Sequence, residues 1–126
     1  MNTDSTAGAL DLVDAGHDIA VDTRRAVHAA PELAFKEVAT TRLIRERLAG
    51  LGFRELPCPT ETGAVYQLGG GRPGRTVLLR ADIDALPVTE EVDVPYRSRL
   101  EGQMHACGHD GHVAILLATA AVLAQR

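Results

Sequence analysis

Between Met104 and His112 the chain reads MHACGHDGH, placing three histidines, one cysteine and one aspartate within nine residues. The whole sequence has only five histidines and two cysteines, so its metal-seeking side chains are concentrated here. Cys107 and His109 lie two apart. If that segment is extended, their thiolate and imidazole point to one side and can share one divalent cation. Zinc accepts both donor types, and manganese or cobalt fits if oxygens complete the shell. The stretch runs into an apolar helical pattern, whose N-terminal dipole favours thiolate at Cys107. Gly108 and Gly111 remove side chains that would crowd an ion or a substrate.

About twenty residues earlier, in VLLRADIDALP, an apolar run ends in two aspartates. A strand over 76–81 would deliver Asp82 and Asp84 to its carboxyl end, where open α/β sheets bind ligands. One of them can orient a metal-ligating histidine by accepting its second ring proton. The simpler alternative is that both aspartates cap the following turn. His17 and His28 read as structural residues on a helix surface or end. Cys58, set between two prolines, also reads as structural, and Glu90 and Glu91 as residues of a solvated loop. There is no nucleophile elbow, P-loop lysine, dinucleotide fingerprint or redox Cys-x-x-Cys.

The elements that would position these groups follow from periodicity. Residues 1–9 read as a flexible tail. A helix is expected over 10–30, acidic at its front and basic at its back, and stopped by Pro31. Leu10, Val13, Ala20 and Val27 would form its buried face. A second helix over 35–51 carries Val38, Thr41, Ile44, Leu48 and Leu51 on one stripe and is closed by Gly52. Short strands are expected at 53–56 and 64–68, then a turn, GGGRPG, at 69–74. The run at 76–81 suits a strand covered on both faces. Residues 83–103 read as a long loop over the site. A helix apolar nearly all round follows from 110 or 111 to 125 and calls for burial. This helix and strand order is an α/β pattern.

The chain has 126 residues, 45% apolar content, 3% aromatics and a formal charge of -4, which fit one globular domain. Its pI near 5.7 argues against a nucleic-acid surface. Twelve of its thirteen basic residues are arginines, and they are scattered rather than clustered. The acidic N-terminus lacks the features of a signal peptide, and the longest apolar run, of twelve residues, is too short to span a bilayer. A cytoplasmic location with free thiols, and no membrane partner, is expected.

Three blocks in order, RRAVHAAPELAFKEVATTRLI (24–44), LLRADIDALPVTEE (78–91) and MHACGHDGHVAILLATAAVL (104–123), resemble the metal-dependent amidohydrolases of the hippurate hydrolase, auxin-conjugate hydrolase and N-acyl-amino-acid deacylase branch. That branch belongs with the aminoacylase and carboxypeptidase metallopeptidases. The resemblance implies a zinc-exopeptidase-like catalytic domain, a mixed sheet flanked by helices. Residues 10–126 would form its N-terminal portion, without the lid or dimerisation domain and the C-terminal part. It implies hydrolysis of N-acyl amino acids or similar small amides at a site for two metals, Mn²⁺ or Zn²⁺, with Co²⁺ or Ni²⁺ as alternatives. Cys107 and His109 then match metal ligands, and Asp84 matches the catalytic-site aspartate behind them. Asp82, His105 and His112 would be second-layer or substrate-facing groups. The full-length form would be a homo-oligomer. Because a Glu-Glu pair and further histidine ligands lie downstream in the family, the isolated chain is expected to be inactive and to need the remaining part. Two other readings stand beside this one. One is a closed zinc module of His105, Cys107, His109 and His112; the other is a non-catalytic subunit that binds a partner through helix 111–125.

Overall fold

The computed structural model describes residues 3–69, 71 and 73–125. Four helices and one small sheet follow in the order α1 (Thr3–Ala15), α2 (His17–Ala29), α3 (Val38–Leu48), β1 (Arg54–Leu56), β2 (Val65–Gln67) and α4 (His109–Leu123). Of the turn at 69–74, Gly70 and Arg72 lie outside the described residues, as do Met1 and Asn2 of the tail.

The single helix expected over 10–30 is two helices. α1 starts at Thr3, inside the segment read as a tail, and Gly16 alone separates it from α2. The Gly16 amide is shared between the carbonyls of Leu12 and Val13, which tightens the last turn of α1. Leu10 and Val13 are more than half exposed, so the buried face belongs to α2 alone, through Thr23, Val27, His28 and Ala29. Pro31 ends α2 as expected, because it disfavours helical geometry at Ala30.

α3 is shorter than its apolar stripe promised. Val38 is exposed, while Thr41 and Leu48 are buried. Its first turn is held from outside the helix. Glu32 Oε1 accepts the amide of Ala39 at 2.9 Å, and Oε2 accepts the amide and the hydroxyl of Thr40 at 2.8 and 2.9 Å. One carboxylate thus satisfies two amides that have no partner within the helix and sits at the positive end of its dipole. Gly50 and Gly52 both take left-handed geometry after the helix and turn the chain toward β1. β1 and β2 pair antiparallel, with Glu55 opposite Tyr66, close to the expected strands.

The expected strand over 76–81 does not form. No described segment pairs with it, and Val77 and Leu78 are 79% and 87% exposed. A continuous apolar run makes a stable strand only with neighbours that accept its hydrogen bonds and cover its faces. Within the described residues the expected mixed sheet is therefore the β1–β2 ribbon with two isolated bridges, Leu33 to Ala85 in parallel sense and Leu86 to Met104 in antiparallel sense.

Those bridges position the site. The amide of Ala85 donates to Glu32 O at 2.8 Å, Leu86 and Met104 exchange bonds of 2.9 and 3.0 Å, and the amide of Arg99 donates to Ala29 O at 3.0 Å. The irregular segment 83–103 is thereby fastened to the end of α2 and to the approach to α4. The core beneath is built from small residues: Val27 and Ala29 of α2 and Val113, Ala114 and Ala120 of α4 are all buried, and the two helices pack together. Small side chains let the two helices approach closely. Full burial of Val27 and Val113 contributes about 1.5–3 kcal/mol each.

Replacing Glu32 with Ala is expected to cost about 1–2 kcal/mol, the usual loss for a helix N-terminal cap. Urea denaturation checks it, and Glu32→Gln, which keeps one acceptor oxygen, should recover part of the loss.

Candidate metal centre

His109 opens α4, and its imidazole is fixed from one side. Nδ1 donates toward Asp84 Oδ1 and toward the Asp84 carbonyl, both at 3.0 Å. A proton committed to Nδ1 leaves the Nε2 lone pair free. Nε2 lies 4.0 Å from Asp82 Oδ2. The His112 ring stacks on the His109 ring, with centroids 5.4 Å apart. Among the described residues, Asp82, His109 and His112 form the one group of three whose donor atoms all lie within 4.8 Å of one another.

A carboxylate oxygen and two imidazole nitrogens are a donor set that zinc, manganese or cobalt accepts. Asp82 also pairs with Arg80, which leaves its second oxygen turned to His109. The two aspartates approach the same ring from its two nitrogens. Asp84 orients it and Asp82 stands at its open edge.

The turn before α4 differs from expectation. Residues 105–108 form a turn rather than an extended segment, with the Gly108 amide reaching back to His105 O at 3.4 Å. Gly108 takes φ 82°, a conformation that costs any residue with a Cβ about 1–2 kcal/mol. Alternation therefore cannot be used to place Cys107 beside His109. Cys107 is exposed, its thiol free, and it lies outside the converging group. His105 is 4% exposed and both its ring nitrogens lack a partner among the described residues. The four side chains of the closed zinc module are thus not gathered together.

Behind the site lies a network of His28, Asp110 and Glu90. His28 and Glu90 are buried, at 5% and 4% exposure, and Asp110 is wholly buried. Glu90 is therefore a core residue, not part of a solvated loop, and His28 faces inward from α2. His28 Nδ1 donates to Asp110 Oδ2 at 2.8 Å, and Nε2 donates to Glu90 Oε1 at 3.0 Å. Arg24 Nε reaches the same Asp110 oxygen at 3.1 Å. Glu90 Oε2 accepts the amide of Ser98 at 2.6 Å.

Burial opposes charge on His28, but its hydrogen bonds to Glu90 and Asp110 and the charges of both outweigh it and raise its pKa. Burial likewise opposes charge on the carboxylates. The Ser98 amide and His28 lower Glu90 nonetheless, and His28, the Gly111 amide and Arg24 lower Asp110. For His105 burial wins, and its pKa falls.

These shifts fix the pH dependence of stability. The His28 contribution is complete below its unfolded value of about 6.5 and is lost as pH rises through the higher folded value. The Glu90 and Asp110 contributions are complete above their unfolded values of about 4 and are lost as pH falls through lower folded values. His105 adds a loss below about pH 6.5, because the unfolded chain takes up a proton that the buried ring refuses. The urea midpoint is therefore expected to be highest near pH 6.5, falling on both sides. A monotonic rise from pH 5 to 9 contradicts this assignment.

The chain as a whole has recognisable relatives. Residues 78–126 match the family described as Peptidase family M20/M25/M40. The chain is 46% identical over 114 residues to an N-acyl-L-amino acid amidohydrolase of Geobacillus stearothermophilus, a match covering 90% of this chain and 31% of that protein. It is 48% identical over 107 residues to thermostable carboxypeptidase 2 of Saccharolobus solfataricus, covering 84% of this chain and 27% of that one. Its fold superposes on a crystal structure of the Bacillus subtilis YXEP protein, described as a dinuclear metal binding peptidase from the M20 family. The TM-score is 0.84 at 42% identity, over 90% of this chain and 32% of that chain. The chain thus spans about a third of the length of these relatives. No helix of the described residues is long and apolar enough to cross a membrane.

Proposed function

We propose, from the match of residues 78–126 to Peptidase family M20/M25/M40, that the chain supplies a metal-holding part of an amidohydrolase acting on N-acyl amino acids or similar small amides. The α/β architecture expected from the sequence agrees with the solved M20 structure it superposes on. The observation that carries the proposal is the Asp84–His109 bond of 3.0 Å, which leaves Nε2 of His109 open beside Asp82 and His112. A surface cluster with no function has no need of a carboxylate that selects one tautomer.

The residues present fit a divalent cation. Asp82, His109 and His112 would hold it, and Cys107, an exposed thiol separated from His109 only by Gly108, would be a further donor as the resemblance implies. When bound, the metal supplies Lewis-acid chemistry, polarising an amide carbonyl and acidifying water. The chain's own residues do the rest. Asp84 holds the proton on Nδ1 of His109 and keeps the ring in place. Gly108 and Gly111, with no atoms within 4 Å of where a Cβ would sit, leave the approach open.

Manganese and zinc are the proposed metals, two to a complete site, with cobalt and nickel as substitutes. Three converging protein donors fall short of a dinuclear shell, so the 126-residue chain alone is proposed to turn over such amides negligibly and to need further polypeptide for activity. The complete enzyme is proposed to act in the cytoplasm as a homo-oligomer.

The test pairs binding with turnover. The purified chain is titrated with Co²⁺, followed by absorbance, and assayed on N-acetyl amino acids and hippurate with Mn²⁺ or Zn²⁺. The chain should bind Co²⁺ and show no turnover above the blank. His109→Ala should abolish the Co²⁺ spectrum, and Asp84→Asn should weaken binding about 10–100-fold. A Co²⁺ spectrum unchanged in His109→Ala defeats the metal site. Metal-dependent hydrolysis by the chain alone defeats its proposed dependence on further polypeptide.

A further inference from the structure

We propose that His28 is a positioning residue for the metal-holding turn and that it acts through Asp110. The inference rests on the reading that Asp82, His109 and His112 hold an ion, and it adds a residue from a different element to that site.

The first turn of α4 carries both His109 and His112, yet it has few restraints of its own. Its N-cap is Gly108, which offers no side-chain cap. Gly111 follows, with nothing within 4 Å of its missing Cβ. What fixes the turn is Asp110, which directly follows His109 and precedes His112 by two residues. Asp110 is wholly buried. A single oxygen, Oδ2, receives two donors from α2: His28 Nδ1 at 2.8 Å and Arg24 Nε at 3.1 Å. The start of α4 is thus fastened to α2 through one carboxylate.

The other side of the His28 ring fastens the loop. Nε2 bonds Glu90 Oε1 at 3.0 Å, and Glu90 in turn holds the Ser98 amide and, through its carbonyl, the Arg97 guanidinium. Tyr96 packs edge-on against the ring with centroids 5.6 Å apart, which restrains its plane. Asp84, which orients His109, lies on the same irregular segment as Glu90. One imidazole therefore connects the helix that carries His109 and His112 with the segment that carries Asp84, the carboxylate that orients His109. Metal sites lose affinity when donors shift by a few tenths of an ångström, so such a joint sets how well the donors converge.

The two contacts of His28 can be separated by chemistry. The amide nitrogen of Asn takes the place of imidazole Nδ1, so His28→Asn keeps the Asp110 contact and loses Glu90. The amide nitrogen of Gln takes the place of Nε2, so His28→Gln keeps Glu90 and loses Asp110. Three readouts are followed for each variant: urea midpoint, side-chain NMR resonances of His109 and His112 in metal-free chain, and Co²⁺ affinity. Both variants should lose stability. Only His28→Gln should move the His109 and His112 resonances, and it should weaken Co²⁺ binding about tenfold; His28→Asn should stay within about twofold of the unmodified chain. Equal loss of affinity in both variants, or unmoved resonances in His28→Gln, overturns the proposal. If His28→Gln does not fold, Arg24→Gln removes the second donor to Asp110 from a half-exposed position. It should move the same resonances in the same direction by less, and no movement overturns the proposal. If the unmodified chain binds no Co²⁺, the metal reading fails, while the resonances still decide the role of His28.

Discussion

One proton decides what His109 can do. With that proton on Nδ1 and shared between the carboxylate and carbonyl of Asp84, Nε2 is left as a bare lone pair facing Asp82 and His112. With the proton on Nε2, the same ring would present a donor instead of a lone pair toward Asp82 and His112. The rest of the described fold keeps this bond in place. The bridges at Ala85 and Leu86 hold Asp84 at a fixed height, and the left-handed Gly108 starts α4 at the right point to bring the ring to it. The small side chains between α2 and α4 allow the close packing that brings His28 within reach of Asp110.

A buried ionic network is a costly way to join three elements. Desolvating His28, Asp110 and Glu90 consumes much of what their mutual attraction returns, and a well-packed apolar trio would be at least as stabilising. What the ionic version adds is direction. Each hydrogen bond admits a narrow range of geometry, whereas apolar contacts tolerate sliding. The network sits directly behind the turn that carries His109 and His112, where position matters most. An orphaned polar atom in this region is costly too: Asp110 Oδ1 and both nitrogens of His105 have no partner among the described residues, and burial keeps His105 uncharged.

Much of the site was legible from residue chemistry. The crowding of histidines after Met104 marked the centre, and the two aspartates after an apolar run marked the side that faces it. Residue chemistry left open which aspartate orients a histidine, and the geometry bonds Asp84 to His109 with Asp82 4.0 Å from its other nitrogen. His112 was read as a second-layer or substrate-facing group, and its place beside His109 depends on α4 starting at His109, earlier than periodicity placed it. His28 and Glu90 were visible only as a helix-end histidine and a loop acid. Their partners are 82 and 62 residues away in the chain, and no local pattern records such pairings. A useful signal was available in His28 itself: it lies one residue after Val27, three before the proline that ends the helix, and one turn after Arg24. Helical spacing alone puts it on the same side as that arginine. The run at 76–81 failed for the opposite reason. Its local pattern was correct for a covered strand, but a strand is a property of pairs, and within the described residues its partner is lacking.

Anomalous diffraction from crystals of the chain soaked in Zn²⁺ tests the centre most directly. The ion is predicted about 2.0–2.1 Å from Nε2 of His109, with Asp82 and His112 in its shell and Nδ1 still bonded to Asp84. An ion on Nδ1, or one bound elsewhere with the Asp84–His109 bond intact, would contradict the account.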